Sequence, residues 1–554
     1  MILIYPPVTK SCEPPAGVAL LSGALKEHGI ESTIIDANIE ALLWLGQSSF
    51  QVSGQASNNH HPNDSWTKRA LSHYNQNLSD LKSLDVYQNM GRYRQRLMDI
   101  NRVITTALPE RFKVTLADYR DSQLLPVKSC DLLESAEKFT ENPFFNYFET
   151  YLVKRIEKSR FDHVGISLCF LSQALTSFAL AGWVKSRFPQ KKIIMGGGLV
   201  TSWMSSPEWN NPFDSLIDIM VKGEGEKILV EIVAGAELTR KIKRKINVKA
   251  KNNVETKTSV KIKNSYLPDF DFCKWELYLA PGRVLPYRAS IGCYWGKCRF
   301  CPERAEAGRY RTGKNKKIID ELKLLHYKYD IDYVHFLDNA LSPSFLKALT
   351  WEESIPFLWY GFARFSKELA DPLFCSKLYR SGCRMLKLGL ESGDQTVLER
   401  MSKGTDLDTA SLVLSSLKDA GIAAYVYLLF GTSFENEAAA EKTLVYVAEH
   451  SDRISFLNTA IFNLPRFSED AANLETGMFY EGDLSLYSSF KHPEQWERKK
   501  VRRFLDKKFK KNSFIAPVLR NDPPFFSSNH AMFVKPAWPE HGHLPPATTK
   551  HKTP

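Results

Sequence analysis

Three cysteines fall within nine residues in IGCYWGKCRFCPERAEAGRY, residues 291–310: Cys293, Cys298 and Cys301. A soft metal centre needs several sulfurs converging on one point, and free cysteines rarely cluster without that purpose. A zinc site wants a fourth Cys or His at a second short spacing. None follows, and the nearest downstream histidine, His326, lies in a helix-like run. Three ligands without a fourth suit an iron–sulfur cluster with one open iron; three buried structural cysteines are the plainer alternative. The remaining cysteines (Cys12, Cys130, Cys169, Cys273, Cys375 and Cys383) show no paired spacing and read as small core residues.

Around this loop the sequence alternates apolar strands with helical runs. Val284 to Ile291 leads into the cysteines, and strands follow at Tyr333–Leu337, Phe357–Ala363, Met385–Leu390, Ile422–Phe430 and Ile454–Phe462. Six strands alternating with helices predict a parallel barrel, complete or partial. Asp338, Arg364, Glu391 and the cysteine loop each follow a different strand, at the end where barrel active sites assemble.

The 554 residues are too many for one ordinary core, so two or three domains are expected. Before the barrel, Met1–Tyr5, a helical run over Val18–Glu27 and Glu31–Ile35 form a βαβ unit. The pattern breaks over about 41–160, where Gln47–Lys68, with His60 and His61, reads as an exposed loop and Leu78–Ala107 as helical. It resumes with Asp162–Leu168, a helix over Gln173–Phe188, Lys192–Met195 running into Gly196-Gly197-Gly198, and Asp218–Val221 before Gly223-Glu224-Gly225-Glu226. Ligands of open α/β sheets sit at the carboxyl ends of strands, where glycines let a backbone approach closely. Ala236–Asn264 is lysine-rich and reads as a linker.

The net charge of +12 comes partly from Arg240–Lys263 and from WERKKVRRFLDKKFKK, residues 496–511. Without interleaved aromatics these are solvated faces, and nucleic acid is not expected as a partner. The apolar runs are too short to span a bilayer, and MILIYPP lacks the basic flank of a signal peptide. Nine cysteines in so long a chain are no disulfide framework, so a reducing cytoplasm is the expected location.

The stretch from about Val284 to Pro465 resembles the radical S-adenosylmethionine (SAM) superfamily. That family's usual motif is Cys-x-x-x-Cys-x-aromatic-Cys; here the first gap holds one extra residue and Phe300 takes the aromatic place. The resemblance implies that Cys293, Cys298 and Cys301 hold a [4Fe-4S] cluster. It implies SAM contacts from Phe300, Asp338, Arg364, Glu391, Ser392, Gly393 and Gly431, with no catalytic side chain beyond these. YPP…EPPAGVALLSGALKEHGIESTIIDAN, DHVGISL, IIMGGG and VKGEGE resemble the cobalamin-binding domain that precedes many such enzymes. That likeness implies cobalamin contacts from Ser167, Leu168, Gly196, Gly197 and Gly198. The Asp-x-His-x-x-Gly motif is absent after the first strand, so no histidine ligand to cobalt is implied.

The expected fold is therefore α/β: a Rossmann-like cobalamin-binding-type domain (1–235, insertion about 41–160), a linker (236–270), a radical SAM partial (β/α)6 barrel (271–465) and a small, mostly helical C-terminal region (466–554). In that region, 521–531 reads as a segment closing the barrel mouth, His530 as a substrate contact or a structural histidine, and 545–554 as a disordered tail. The expected chemistry is cleavage of SAM to a 5′-deoxyadenosyl radical and cobalamin-dependent methylation of an unactivated carbon in a small-molecule or peptide substrate. An electron donor such as flavodoxin or ferredoxin would supply the electron. The alternatives are radical cyclisation, rearrangement or oxidation without methyl transfer, and a non-enzymatic metal-binding scaffold with RNA contacts. No acid–base pair or triad is evident in the sequence.

Overall fold

The computed structural model describes residues 1–54, 64–234, 246–248, 253–256, 266–306, 308–352, 355–526 and 529–534. The first sheet is built from β1 (Ile2–Tyr5), β2 (Thr33–Asp36), β3 (His163–Ser167), β4 (Lys192–Gly196), β5 (Ile219–Lys222), β6 (Ile246–Val248) and β7 (Asn253–Thr256). Their order is β2-β1-β3-β4-β5-β7-β6, all parallel except the last pair. Strand order reverses between β1 and β3, which opens a crevice at their carboxyl ends. β6 and β7 fall within the stretch expected as linker and extend the sheet edge.

The second sheet runs in sequence order: β8 (Val284–Tyr287), β9 (Tyr333–Phe336), β10 (Leu358–Ala363), β11 (Cys383–Glu391), β12 (Ala423–Phe430) and β13 (Phe456–Ile461). Every neighbouring pair is parallel, as helix crossovers require. Period-two alternation assigns the two faces. Val334, Phe336, Trp359, Leu386, Leu388, Val426 and Leu428 pack outward into the helical layer. Tyr333, Tyr360, Met385, Tyr425 and Phe456 point to the concave face and join the core of the first domain.

The insertion departs from the sequence expectation. Gln47–Gly54 ends a helix that begins at Ala37, and Ser65–Ser72 is a second helix capped by Asp64, so much of the expected loop is helical. His60 and His61 lie outside the described residues. Met90–Thr106 is a long helix burying Tyr93, Leu97, Ile100, Val103 and Ile104, and Phe112–Val114 pairs with Tyr119–Asp121 as a hairpin.

The closing segment also lies elsewhere than expected. His530 is buried and stacks on Tyr425 at 4.3 Å, with Phe456 edge-on at 5.0 Å. Tyr425 and Phe456 stand near the starts of β12 and β13, so the segment plugs the end of the barrel opposite its mouth. Phe533 packs on Tyr87 and Tyr93 of the insertion, each at 5.0 Å. Insertion and C-terminal segment thus seal one end together, because the wide aromatic floor of a partial barrel must be covered by something apolar. The expected tail at 545–554 lies outside the described residues. Arg498–Lys507 is a helix that buries Val501, Phe504 and Leu505 and leaves its basic face exposed.

Candidate active site

The cysteine loop leaves β8 through a short hairpin, Ser290–Ile291 against Arg311–Thr312. Asp338, just beyond β9, braces this exit. Its carboxylate accepts from the Ala289 N–H at 3.0 Å and the Ser290 hydroxyl at 2.5 Å and is 2% exposed. Expected as a SAM contact, it holds the loop's root.

Trp295 anchors the loop's tip. Its indole N–H donates to the Ser402 carbonyl at 2.9 Å, and the Arg364 guanidinium stacks on its ring at 4.5 Å. Arg364, immediately after β10, is buried; it donates to the Cys298 sulfur at 3.9 Å and to the Lys403 carbonyl. Glu391 ends β11 at a bulge with φ +68°, a strained conformation for a non-glycine residue that the site holds in place. Its carboxylate pairs with Lys403 at 2.8 Å. Lys403 also lies over the Phe300 ring at 5.6 Å, and Phe300 packs beside Val397 and Met401. Arg364, Glu391, Phe300 and the cysteine loop therefore converge at the strand ends. Lys403 and Trp295 join them; residues 401–404 are a loop between two helices, and their sequence carries no sign of the contact.

Three expected SAM contacts sit apart from open space. Ser392 is fully buried against Thr443, and Gly393 N–H donates to the Thr443 hydroxyl at 2.9 Å. Both fasten β11 to the helix Glu437–Glu449. Gly431, beyond β12, donates its N–H to Glu435 at 2.5 Å, and Trp496 donates to the same carboxylate at 2.9 Å.

Burial raises the thiol pKa of Cys298 and Cys301; the Lys403 and Arg364 charges pull Cys298 the other way. Each of the two also feels the charge of Cys293, so the three sulfurs share one neighbourhood. Among the described residues no three Cys, His, Asp or Glu groups converge tightly enough for a single metal ion. A [4Fe-4S] cluster held by three cysteines takes each on a different iron, and three thiols in one loop suit that donor set.

A cavity of about 1200 Å³ runs from the first domain to the residues flanking the cysteines, Ile291, Glu303 and Arg309–Arg311. Ser167, Gly196, Gly197 and Gly198 line one wall; Arg288, Glu306 and Arg309–Arg311 line the other. Gly197, at φ +119°, leaves no room for a side chain, since a Cβ would stand 2.3 Å from the Leu168 carbonyl. Leu168 is fully buried behind the wall, its N–H on the Gly196 carbonyl at 2.7 Å. Glu224 crosses the cavity to Arg311 at 2.9 Å, tying the two walls together. Of the scattered cysteines, Cys12, Cys375 and Cys383 are core residues as expected, whereas Cys130 is exposed and Cys169 lines this cavity.

One constellation is absent from the sequence reading. The loop after β1 enters the concave face, where the Glu13 carboxylate meets His335 Nδ1 of β9 at 2.9 Å and pairs with Lys10. His335 Nε2 lies 3.1 Å from the Lys387 amine of β11. Burial would raise the Glu13 pKa, but its contacts with His335 and Lys10 hold it well below the usual range. Burial takes His335 down to about 4, so the neutral ring accepts from Lys387.

No family model matches the chain. It is 26% identical over 313 residues to an uncharacterized methyltransferase of Pyrococcus horikoshii, covering 53% of this chain and 66% of that protein. It is 24% identical over 244 residues to the anaerobic magnesium-protoporphyrin IX monomethyl ester cyclase of Rubrivivax gelatinosus, covering 41% and 44%. The chain thus spans less than two thirds of these relatives' length. A structure of the radical S-adenosylmethionine methyltransferase TsrM from Kitasatospora setae, with tryptophan substrate and a SAM analog, superposes with a TM-score of 0.50 at 14% identity over 87% of this chain and 79% of that one. The chain accordingly shares the fold of that structure: a Rossmann-like parallel α/β domain joined to a partial (β/α)6 barrel.

Proposed function

We propose that this protein is a radical SAM enzyme that methylates an unactivated carbon with the help of cobalamin. The observation that carries the proposal is the large cavity between the glycine wall of the first domain and the residues flanking the cysteines, Ile291, Glu303 and Arg309–Arg311, beside the convergence of Arg364, Glu391, Lys403 and Phe300 on the cysteine loop. Cys293, Cys298 and Cys301 would hold the [4Fe-4S] cluster, the Gly196–Gly198 wall would receive cobalamin, and Glu391, Arg364 and Phe300 would receive SAM. When bound, these groups supply a 5′-deoxyadenosyl radical and a transferable methyl group. The chain's own part is positional. Arg364 and Trp295 fix the loop, Lys403 holds Glu391 in its strained conformation, and Asp338 fixes the strand exit. The cluster's electron would come from a donor such as flavodoxin or ferredoxin.

The test is the content of anaerobically purified, reconstituted protein. About four irons per chain, bound cobalt and reductive SAM cleavage are expected. Colourless protein carrying zinc overturns the proposal. Similarity to a cyclase supports a second reading, radical ring closure or oxidation without methyl transfer. S-adenosylhomocysteine together with 5′-deoxyadenosine supports methylation; 5′-deoxyadenosine alone supports the second reading.

A further inference from the structure

We propose that Lys387 anchors a carboxylate or similar oxyanion of the substrate on the floor of the barrel's concave face. The inference rests on the function proposed above and adds to it that part of the substrate enters the barrel's concave face. Lys387 is 3% exposed, and its amine touches His335 Nε2 and lies over the rings of Tyr360 at 5.5 Å and Phe362 at 5.2 Å. Among the described residues it makes no ion pair. The carboxylate nearest it, Glu13, is already engaged by Lys10 and His335. The groups facing Lys387 are therefore the Lys10 cation, the Glu13 carboxylate already engaged, the neutral His335, the Cys12 thiol and the Tyr360 phenol, whose buried hydroxyl has no hydrogen-bond partner.

A buried cation without a counter-ion is costly and is stabilised by an anion that enters with a ligand. Burial, with the Lys10 charge, pulls the Lys387 ammonium down to about 7. A bound carboxylate would return it to the charged form. Phe362 and Tyr427, rings 5.1 Å apart, are half-buried on the same side of the sheet as Lys387, the Phe362 ring within 5.2 Å of its amine. Along β11, Lys387 lies four residues below Glu391, on the order of 13 Å at strand spacing. An acid group on Lys387 would thus point the opposite end of an elongated substrate at the cysteine loop.

The experiment is thermal unfolding of the full-length protein with 4-phenylbutyrate as probe and its neutral amide as comparison. At pH 6.5 the acid should stabilise the wild type and bind at least tenfold more tightly than the amide. Its apparent affinity should fall at least tenfold by pH 9, as Lys387 loses its proton. Lys387→Met should abolish the preference for the acid. Equal effects of acid and amide, no effect of either, or an undiminished preference in the variant overturns the anchor. The wild-type comparisons stand even if the variant does not fold. Neither iron, cobalt nor SAM cleavage enters this readout. A protein that cleaves SAM but ignores the acid loses the anchor alone, and one without iron loses the proposed function.

Discussion

The Lys403 ammonium stands 2.8 Å from the Glu391 carboxylate, and both side chains are nearly sealed from water, at 8% and 12% exposure. Glu391 sits at a strained φ at the end of β11, so this contact fixes both its charge and its direction. Removing one partner of a buried pair leaves the other charge uncompensated, at a cost of about 3–5 kcal/mol. Lys403→Met should therefore lower unfolding free energy by about that amount in denaturant titration. SAM affinity, measured by equilibrium dialysis, should fall tenfold or more. An unchanged SAM affinity would separate Glu391 from the SAM site.

Gly197 allows a test that divides the two walls of the cavity. At φ +119°, with the Leu168 carbonyl where a Cβ would stand, Gly197→Ala must shift the turn after β4, with strain of about 1–3 kcal/mol. The cysteine loop belongs to the other domain, and its expected iron content should be unchanged. The expected result is a several-fold loss of bound cobalt at unchanged iron, read by metal analysis of the same sample. Equal loss of both metals would mean that the mutation acts by unfolding.

The cysteine loop and the strand ends were legible in the sequence because each is local: three sulfurs within nine residues, and polar residues directly following apolar runs. What could not be read was contact across distance. Glu13 and His335 are 322 residues apart, and nothing around either marks the pairing. Lys403 lies in a short interhelical turn whose polar residues suit solvent equally well. Asp338 was placed at the correct strand end, but its use as a brace depends on Ser290 approaching it, which only packing decides. The insertion could not be read because its role is to cover aromatic floor residues belonging to the other domain.

Asp36 gives a pH signature. Burial pushes its carboxyl up to about 7, against the hydrogen bonds from Tyr278 and the Asn38 and Ile39 amides. The folded pKa lies above the unfolded value, so folding takes up a proton. This contribution is fully present below the unfolded pKa of 3.8 and is lost as pH rises through about 7. At 1.36 kcal/mol per pKa unit the loss is on the order of 4 kcal/mol at most. His335 and Glu13 act in the opposite sense, so the difference between wild type and Asp36→Asn isolates the effect. The variant should gain stability relative to wild type between pH 4 and pH 8, as measured by chemical denaturation. A constant difference across that range would sink the assignment.

His530 decides whether the C-terminal segment is a lid or a plug. Its ring stacks on Tyr425 at 4.3 Å and its Nε2 meets the Asp522 carboxylate at 2.7 Å, both at the end of the barrel remote from the cysteine loop. A plug contributes apolar contact and one buried hydrogen bond. Its loss should appear as reduced stability of about 2–3 kcal/mol, with the ligand sites intact. A lid would contribute to SAM retention instead. His530→Ala should accordingly lower the unfolding midpoint, while SAM affinity and iron content stay within twofold of wild type. Phe533→Ala, which removes the contact with Tyr87 and Tyr93, should behave in the same way, because both residues hold one segment against one floor. A SAM affinity lost in both variants at unchanged stability would instead mean that the segment reaches the mouth.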